Sequence, residues 1–493
     1  MLDSTRMVPG SSAEDAVLYQ RLAHKLGQQI LKGILRPGDK LPSVRSLSRH
    51  EGVSITSILS AYMLLESSDL IESRPQSGFY VKAHAADLPP EARNECKLRR
   101  SQVQVSELAQ QVLSSMHDCQ MVALGAVMPA AELLPVAKLA RIISGIQRRN
   151  PELLARYDLP PGRKELRREI AKRAVHNGFS VDADELVITC GAMEAIHLSL
   201  QAVASPGDMI AIESPMYFSI LQCLEVLGMR AVEIPTHPRD GMQLSALRSA
   251  LKKFKIKAVV AMPNFNNPLG SLMPTENKKE LVSLLARHEI PLIEDDFFGD
   301  VPFGESRPQP AKAFDKKGLV LWCGSYSKTI SPALRIGWVA AGRFSKAIQY
   351  RKLVTSVGNS PVSQLAVAEY LRFGNYDRHL RKLRSAFIFQ TQRMMQAVNT
   401  YFPSGTHLSR PQGGCMLWVE FPKHIDAVEL HQRALSEGIS ISPGPLFSAT
   451  GRYRNCIRLN TGNPWSEQIE RALARIGSLA RECSRKKIPQ KQK

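Results

Sequence analysis

The chain has 493 residues, and 44% hydrophobic residues with 31 Gly and 31 Pro give it the composition of a globular protein rather than of a disordered or collagen-like one. Its 65 Lys and Arg outnumber its 45 Asp and Glu, so the formal net charge of +20 at pH 7 favours contact with polyanions. No apolar run approaches the roughly 18 residues of a membrane span, and the eight cysteines form no C-x-x-C pair, so we expect a cytoplasmic protein with free thiols, no metal site and no membrane association.

The first predicted domain spans residues 16–82 and contains three helices. Apolar residues recur at helical spacing in the first helix, at Leu18, Leu22, Leu26 and Ile30. Ser43 can cap a short second helix that runs to about His50, and Gly52 ends that helix. Ser54 opens a third helix, which runs to about residue 67. Two helices joined by a short glycine turn are typical of a helix-turn-helix.

The third helix is predicted to have an inner and an outer side. The residues expected to pack inward are Ile58, Ala61, Leu64 and Leu65, and those expected to stay outside are Thr56, Ser57 and Ser60. Residues 71–72 and 78–81 follow it as two short apolar segments around a turn. They predict a two-stranded wing.

Five short motifs in residues 16–82 carry a family resemblance. They are Pro37-Gly38-Asp39-Lys40-Leu41-Pro42-Ser43-Val44-Arg45, Gly52-Val53-Ser54, Ala61-Tyr62, Leu65-Glu66 and Ser77-Gly78-Phe79. The region resembles the GntR-type winged helix of bacterial repressors, which implies that the third helix enters the major groove of double-stranded DNA. The DNA contacts that the resemblance implies are Arg45, Arg49, Ser54, Thr56, Ser77 and Gly78. The sequence departs from many relatives at Ile55 and Gln76, so a base preference does not transfer.

Residues 83–118 are predicted to form a linker between two domains. Leu88-Pro89-Pro90 is followed by charged and Gln/Ser-rich sequence with weak helical periodicity from Val103 to Met116. Such a segment is long enough to let the first domain move relative to the second. At the other end of the chain, residues 486–493 form a basic tail, which is more often a solvated end than a nucleic-acid arm.

Residues 119–485 are predicted to form a larger α/β domain. Five short apolar runs alternate with helical stretches, at residues 185–189, 208–213, 257–262, 290–294 and 319–323. Runs of this kind predict a largely parallel sheet that is covered by helices on both faces. Each run is followed at once by small or polar residues, and ligands bind such sheets at the carboxyl ends of the strands. Five polar loops are therefore expected along one edge of the sheet.

One group of loop residues suits a phosphate. A glycine turn opens a helix at Ala192 and Met193, and the free N–H groups and positive dipole of a helix start favour an anion. Ser325 and Ser327 add hydroxyl groups, and Arg335 adds a guanidinium that can bind two phosphate oxygens.

A second group of loop residues suits a pyridoxal ring. Lys328 can form a Schiff base with an aldehyde if burial lowers the pKa of its amine. Asp295 can hold a pyridine nitrogen protonated, and Tyr217 can stack on the face of the ring. Together the two groups predict a pyridoxal phosphate site.

Eight motifs across the larger domain carry a second resemblance. They are Tyr157-Asp158 with Gly162, Gly191-Ala192-Met193-Glu194-Ala195, Asn267-Pro268-Leu269-Gly270, Glu294-Asp295-Asp296, Ser325-Tyr326-Ser327-Lys328, Arg335-Ile336-Gly337-Trp338, Pro411-Gln412-Gly413-Gly414 and Asn455 to Leu459. The domain resembles the class I/II aminotransferases of fold type I. That resemblance implies pyridoxal 5′-phosphate on Lys328, Asn267 at the ring hydroxyl and Arg458 at the α-carboxylate of an amino-acid ligand. It also implies a homodimer in which Tyr157 reaches a neighbour's phosphate.

The order of the two domains matches one family. A GntR-like winged helix followed by a full aminotransferase-like domain is the organisation of the MocR-type regulators, and the whole chain resembles them. The implied fold class is multidomain, a winged helix-turn-helix plus the α/β three-layer fold type I of PLP-dependent transferases. The implied function is a DNA-binding transcription regulator that senses a small amine or amino acid. The alternatives are a working aminotransferase with a vestigial helix-turn-helix, and a scaffold without cofactor.

Two departures from the aminotransferase pattern bear on activity. Phe297 and Phe298 stand where a tyrosine that donates to the ring hydroxyl is usual, and Leu269 replaces a loop threonine. Neither change blocks a Schiff base on Lys328. Because phenylalanine has no hydrogen-bond donor, we expect cofactor binding and half-reactions to tolerate the change better than efficient transamination does.

Overall fold

The computed structural model describes residues 13–31, 35, 38–68, 70–74, 77–82, 89–92, 100–102, 108–110, 112 and 121–485. The chain divides into two units, Met1–Leu88 with Gln392–Thr400, and Pro89–Thr391 with Tyr401–Lys493. The predicted basic tail at residues 486–493 and most of the predicted linker lie outside the described residues. Across the described ranges, no helix is both long and apolar enough to cross a membrane.

The smaller unit begins with three helices and continues into a hairpin. The helices are α1, Ala13–Leu31, α2, Val44–Glu51, and α3, Ile55–Ser67. The strands β1, Ile71–Arg74, and β2, Gly78–Val81, pair antiparallel. This order of elements confirms the winged helix-turn-helix.

Two serines begin α2 and α3, and a glycine ends α2. Ser43 Oγ accepts a hydrogen bond from Ser46 N–H at 3.2 Å, and Ser54 Oγ accepts one from Ser57 N–H at 3.0 Å. Gly52 follows α2 with a φ of 65°, a conformation that favours glycine. The expectation that Ser57 lies outside is wrong. Its side chain is buried, because its hydroxyl lies 2.8 Å from that of Ser54 within the cap.

The core of the smaller unit lies between its helices and the hairpin. The buried side chains include Leu22, Leu26, Ile58, Ala61, Tyr62, Leu65, Ile71 and Val81. The hydroxyl of Tyr62 donates to the carbonyl of Pro42 at 2.8 Å, so the largest side chain of this core has its polar atom satisfied. The buried residues of α3 lie on one side of that helix, and the other side faces outward.

A nine-stranded sheet forms the base of the larger unit. Its strands are β3, Arg100–Gln102, β5, Leu186–Thr189, β6, Met209–Ser214, β7, Arg230–His237, β8, Gly241–Met242, β9, Ile256–Ala261, β10, Leu292–Asp295, β11, Val320–Ser325, and β12, Gly337–Ala340. The order is β3-β7-β6-β9-β10-β11-β12-β5, and β8 pairs with β7. The five strands from β7 to β11 in this order are parallel, whereas β3, β8 and β12 are antiparallel to their neighbours. The largely parallel sheet is confirmed, and the five runs read from the sequence missed four of its strands, β3, β7, β8 and β12.

Helices cover both faces of this sheet. They include α4, Val136–Arg149, α5, Lys164–His176, α6, Ala192–Val203, α7, Phe218–Val226, α8, Leu244–Lys253, α9, Thr275–Arg287, α10, Ser345–Ser356, α11, Pro361–Phe373, and α12, Tyr376–Tyr401. Ile212 of β6 belongs to one core cluster with Ile196 of α6, whereas its neighbour Ala211 belongs to another with Leu281 of α9. Successive residues of a strand point to opposite faces, so these two clusters are the two sides of a three-layer α/β fold.

A smaller antiparallel sheet completes the larger unit. Its strands are β13, His407–Leu408, β14, Met416–Glu420, β16, Ser442–Pro443, and β17, Cys456–Asn460, in the order β13-β14-β17-β16. A separate parallel pair joins β4, Val122–Ala123, to β15, Ile439–Ser440, and the helices of this part are α13, Ala427–Ser436, and α14, Glu467–Arg485. The register pairs Arg458 with Trp418, in the middle of β17.

Part of the expected linker belongs to the larger unit. The segment 100–102 pairs antiparallel with β7 at the edge of the large sheet. Ala92, Ala109 and Val112 are buried in a cluster with Phe218 and Trp418. The described residues of the segment 83–118 therefore pack within the larger unit, where the sequence predicted a linker. Small apolar residues in a polar segment can fill gaps in a core that hydropathy alone does not reveal.

Candidate functional site

The residues predicted to hold a phosphate lie together at the start of α6. Arg335 donates through Nη2 to the carbonyl of Cys190 at 2.8 Å and through Nη1 to Ser327 Oγ at 3.4 Å. Ser325 Oγ donates to Ser327 Oγ at 2.9 Å. No side chain caps this helix start, so the N–H groups of Ala192 and the next residue are left to a ligand. One guanidinium, two hydroxyls and a helix start thus form a cradle suited to a phosphate.

Glycine is required at two positions of this cradle. A Cβ on Gly191, which has a φ of 79°, would lie 2.6 Å from Arg335 Nη2. A Cβ on Gly337 would lie 2.4 Å from the carbonyl carbon of Gly191. These separations are shorter than any van der Waals contact, so a side chain at either position would displace the arginine or the turn.

A buried ion pair supports the cradle from behind, and the sequence did not predict it. Glu194 Oε2 accepts hydrogen bonds from Cys190 N–H at 2.6 Å and from Lys352 Nζ at 2.7 Å, and Glu194 Oε1 accepts one from Ser356 Oγ at 2.7 Å. Burial opposes ionisation of Glu194, but these donors hold its pKa below the usual value. The pair ties the turn of the cradle to α10. Lys352 lies 158 residues beyond its partner, and no local pattern marks it.

Lys328 lies near two arginines of the site, Arg335 of the phosphate cradle and Arg458. Its Nζ donates to the carbonyl of Val127 at 2.7 Å. Burial lowers the pKa of Lys328 to about 8, and the guanidinium groups of Arg458 and Arg335 also lower it. About a tenth of the amine is therefore neutral, and nucleophilic, at pH 7, a far larger fraction than for an ordinary lysine.

Asp295 ends β10 and is almost fully buried. Within the described chain its one hydrogen-bond donor is the N–H of Phe297, at 3.3 Å. Burial raises the pKa of Asp295 to about 7, and the neighbouring carboxylates of Asp296 and Glu213 add to the rise. The ionised form of such a carboxyl group is stabilised when a cation approaches, because an opposite charge lowers its pKa again. The protonated nitrogen of a pyridine ring is such a cation.

Arg458, in the middle of β17, carries a buried guanidinium. Its Nη1 donates to Asn267 Oδ1 at 2.9 Å, and its Nη2 donates to the carbonyl of Gly125 at 2.6 Å. Its carbon Cζ lies 4.9 Å from the ring centroid of Phe447 and 5.7 Å from that of Phe218.

The charge of Arg458 is not balanced locally. Among the described residues no carboxylate pairs with it, its Nε has no hydrogen-bond partner, and burial lowers its pKa to about 10. A buried cation without an acidic partner is energetically costly, and a bound carboxylate offsets that cost. The orphaned Nε fits this ligand.

Three aromatic residues of the candidate site are Tyr217, Phe297 and Phe298. Tyr217 precedes α7, is half-buried, and lies close enough to Arg458 to affect its pKa. The rings of Phe297 and Phe298 follow Asp295 with their centroids 3.9 Å apart, and Phe298 is fully buried. Phenyl rings without a hydroxyl therefore stand where the aminotransferase pattern has a tyrosine. A hydroxyl elsewhere, on Tyr453, is bonded to Ser214 Oγ at 2.9 Å, a pair that the sequence did not suggest.

Tyr157 does not join the other site residues within one chain. Its side chain is 82% exposed. It lies on a segment that is joined to α10 and its following turn by a bridge between Asp158 and Asn359. The side chains exposed on these segments include Leu154, Leu159, Tyr350, Leu353, Val354 and Val357. The reach of Tyr157 to a second chain stays a prediction, and the patch around it, which we call the apolar patch, is defined by these six residues and Tyr157.

The residues predicted to contact DNA are all exposed on the smaller unit. Arg45 and Arg49 lie on α2, and neither forms an ion pair with a described residue. Ser54 and Thr56 flank the start of α3. At the wing, Ser77 and Gly78 are exposed, and the hydroxyl of Ser77 lies 2.7 Å from that of Tyr80. The arrangement leaves one cationic helix and one helix start free to meet a duplex.

Comparison with known proteins gives two family matches. Residues 18–81 match the model described as bacterial regulatory proteins, gntR family, and residues 125–476 match the one described as aminotransferase class I and II. The HTH-type transcriptional regulator YdcR of Escherichia coli is 39% identical over 469 residues, which cover 94% of this chain and 99% of the relative. The HTH-type transcriptional regulator NorG of Staphylococcus aureus is 30% identical over 440 residues, which cover 89% of this chain and 98% of NorG.

Two solved structures resemble the larger unit. LysN, an α-aminoadipate aminotransferase of Thermus thermophilus complexed with N-(5′-phosphopyridoxyl)-L-leucine, matches with a TM-score of 0.71 and 27% identity over 78% of this chain and 96% of LysN. The kynurenine aminotransferase of Pyrococcus horikoshii matches with a TM-score of 0.71 and 25% identity over 77% of this chain and 95% of the enzyme.

Proposed function

Because this chain belongs to the MocR-type regulators, which join a gntR winged helix to an aminotransferase class I and II domain, we propose that it is a pyridoxal phosphate-dependent transcription regulator that binds double-stranded DNA and senses a small amine or amino acid. The observation that carries the sensing function is the buried guanidinium of Arg458, which no described carboxylate neutralises. A protein that acts on the chromosome of a bacterium works in the cytoplasm.

The residues of the larger unit fit pyridoxal phosphate. The cradle of Arg335, Ser325, Ser327 and the start of α6 would hold the phosphate, and Asp295 would hold the ring nitrogen. Lys328, with a pKa of about 8, would supply the amine for the aldehyde of the cofactor. When bound, the cofactor supplies an aldehyde that condenses with primary amines and a ring that withdraws electrons from them.

Three further side chains complete the cofactor and ligand contacts. Tyr217 would stack on the ring, and Asn267 would donate its amide N–H to the ring oxygen while its Oδ1 stays bonded to Arg458. That hydrogen bond holds the guanidinium in place for the α-carboxylate of an amino acid. We therefore expect amino acids to bind more tightly than the corresponding amines that lack a carboxylate.

Two observations favour regulation over catalysis. The relatives that span nearly the whole chain are named transcriptional regulators. The phenyl rings of Phe297 and Phe298 give the ring oxygen no hydrogen-bond donor, which removes a contact expected of an efficient aminotransferase. An active enzyme with a vestigial winged helix is the less supported alternative.

We further propose a homodimer that is formed through the apolar patch. Exposed large apolar side chains that cluster on adjacent segments are typical of an interface between chains. Such a dimer would also bring Tyr157 to a neighbour's phosphate cradle, as the family resemblance implies.

The test uses the full chain, pyridoxal phosphate and the DNA upstream of its own coding sequence. We expect DNA binding in a gel-shift titration over several salt concentrations. Arg45→Ala should weaken it by about 1–3 kcal/mol if this side chain reads a base and should flatten its salt dependence if it contacts a phosphate, while the exposed Arg148→Ala on α4 leaves it unchanged. A panel of L-amino acids should change both the cofactor absorbance and the DNA affinity. Arg458→Gln should lose the response to amino acids but keep that to simple amines. Rapid steady-state transamination without any DNA binding would favour the enzyme instead.

A further inference from the structure

The outer face of α3 is unusual for a helix that enters DNA. Its sequence, ITSILSAYMLLES, contains no lysine or arginine, and its one charge, Glu66, accepts the N–H of Ser73 at 2.8 Å. Ile55 and Met63 are 49% and 59% exposed, and Leu59 between them is half-buried. These residues are four apart, so they form one apolar stripe along the helix.

The stripe does not belong to the core of the smaller unit. The core side chains of α3, which include Ile58, Ala61, Tyr62 and Leu65, are buried on another side of the helix. Ile55 is therefore held at the surface by the fold, and no packing within the described smaller unit accounts for an isoleucine there.

Ile55 has a fixed position at the start of the helix. Ser54 caps α3 through a 3.0 Å hydrogen bond from Ser57 N–H, and Ile55 is the first helical residue. A β-branched side chain has few rotamers, so its methyl groups are presented with little loss of freedom on binding. The first residues of the second helix in a helix-turn-helix are those that contact base edges in the major groove.

One base feature in the major groove is apolar, and it is the 5-methyl group of thymine. We propose that Ile55 determines sequence specificity by packing against a thymine methyl group in each half of the DNA site, with the hydroxyls of Ser54 and Thr56 beside it. This inference rests on the proposed DNA binding and on the proposed homodimer, which gives the DNA site two halves. It assigns the phosphate contacts to other elements. The exposed cations of α2, Arg45 and Arg49, suit that role because α3 carries none.

The experiment uses full-length protein and a binding site selected from a random pool of DNA duplexes. Each thymine of the selected site is replaced in turn by uracil, which removes the methyl group and leaves the hydrogen-bonding edge intact. We expect one thymine in each half-site whose replacement weakens binding about fourfold, the factor that corresponds to burying one methyl group. Ile55→Ala should weaken binding to the thymine duplex by at least that factor and should bind the thymine and uracil duplexes equally.

Two variants serve as controls. Leu18→Ala removes another exposed apolar side chain of the smaller unit, from α1, and should retain full discrimination between thymine and uracil. Ile55→Val keeps a branched apolar group and should retain part of that discrimination.

The proposal is overturned if replacing no thymine weakens binding, or if Ile55→Ala discriminates between thymine and uracil as the wild type does. It is also overturned if Ile55→Ala changes the oligomeric state without DNA, since the stripe would then contact a second chain. Failure of the selection to enrich any duplex would instead contradict the proposed function itself.

Discussion

At the scale of single residues, burial shifts the pKa values of two groups of the site in opposite directions. It lowers the pKa of Lys328 to about 8 and raises that of Asp295 to about 7, because burial disfavours whichever form is charged. The amine becomes a nucleophile, and the carboxyl group becomes ready to ionise beside a cation. The shifts therefore suit the proposed cofactor, which carries an aldehyde and a basic ring nitrogen.

The shift at Lys328 predicts how uptake of pyridoxal phosphate depends on pH. The attacking form is the unprotonated amine, so the rate of uptake should rise about tenfold per pH unit below pH 7 and level off above pH 8. An ordinary lysine would give a rate that keeps rising toward pH 10. Stopped-flow absorbance with apo protein measures the rate, and N-acetyl-lysine methyl ester corrects for titration of the cofactor. A profile without a plateau near pH 8 would contradict the assignment, and Lys328→Ala should show no borohydride-stable label.

At the scale of elements, local signals in the sequence predicted the starts and ends of helices well. Ser43, Ser54 and Gly52 act at the helix ends where they are expected, because a cap depends on residues within one turn. The helix opened by Gly191 and the strand that ends at Asp295 were also placed, because a glycine turn and a short apolar run are local signals too. These elements carry most of the candidate site, so its main residues were accessible from the sequence.

The parts that were missed depend on contacts between distant segments. The pair of Glu194 and Lys352 joins two helices far apart in sequence, and the strand at 100–102 is specified by the free edge of β7 rather than by its own residues. Ser57 is polar by type but buried by its place in the cap. Propensity and periodicity describe neighbours along the chain and hold no information on such contacts.

Gly52 offers a test of the helix end at this scale. A Cβ there would meet nothing within 4 Å, so the cost of Gly52→Ala comes from the backbone alone and should be about 1 kcal/mol at a φ of 65°. Gly52→Asn should cost less, because asparagine tolerates this conformation better. Hydrogen exchange of the α2 amides in the full chain measures the effect. Gly451→Ala alters an equally open glycine with a φ of 66° in the larger unit and should leave the α2 amides unchanged, so equal exchange in all variants would contradict the argument.

At the scale of the whole molecule, the apolar patch predicts how two chains associate. Val354 is 65% exposed within that patch, and Val354→Asp should shift the protein from dimer to monomer because the carboxylate would be buried without a partner. Val226→Asp changes a valine that is 77% exposed on α7, outside the patch, and should leave the dimer intact. Sedimentation equilibrium over a range of protein concentrations gives the result. A dimer that survives Val354→Asp unchanged would move the interface elsewhere.

The uncompensated charge of Arg458 also makes the fold of the larger unit sensitive to small anions. Any carboxylate that binds beside this guanidinium binds the folded form alone, so it should raise the temperature of unfolding in proportion to the logarithm of its concentration. Acetate should therefore protect the wild-type protein in calorimetry, whereas acetamide, which has nearly the same shape and no charge, should not. Arg458→Gln should erase the difference between the two, and a difference that persists would assign the protection to another cation. In the proposed regulator, the sensed molecule would act as the missing counter-ion of Arg458, and recognition and thermal stability would be two measures of one interaction.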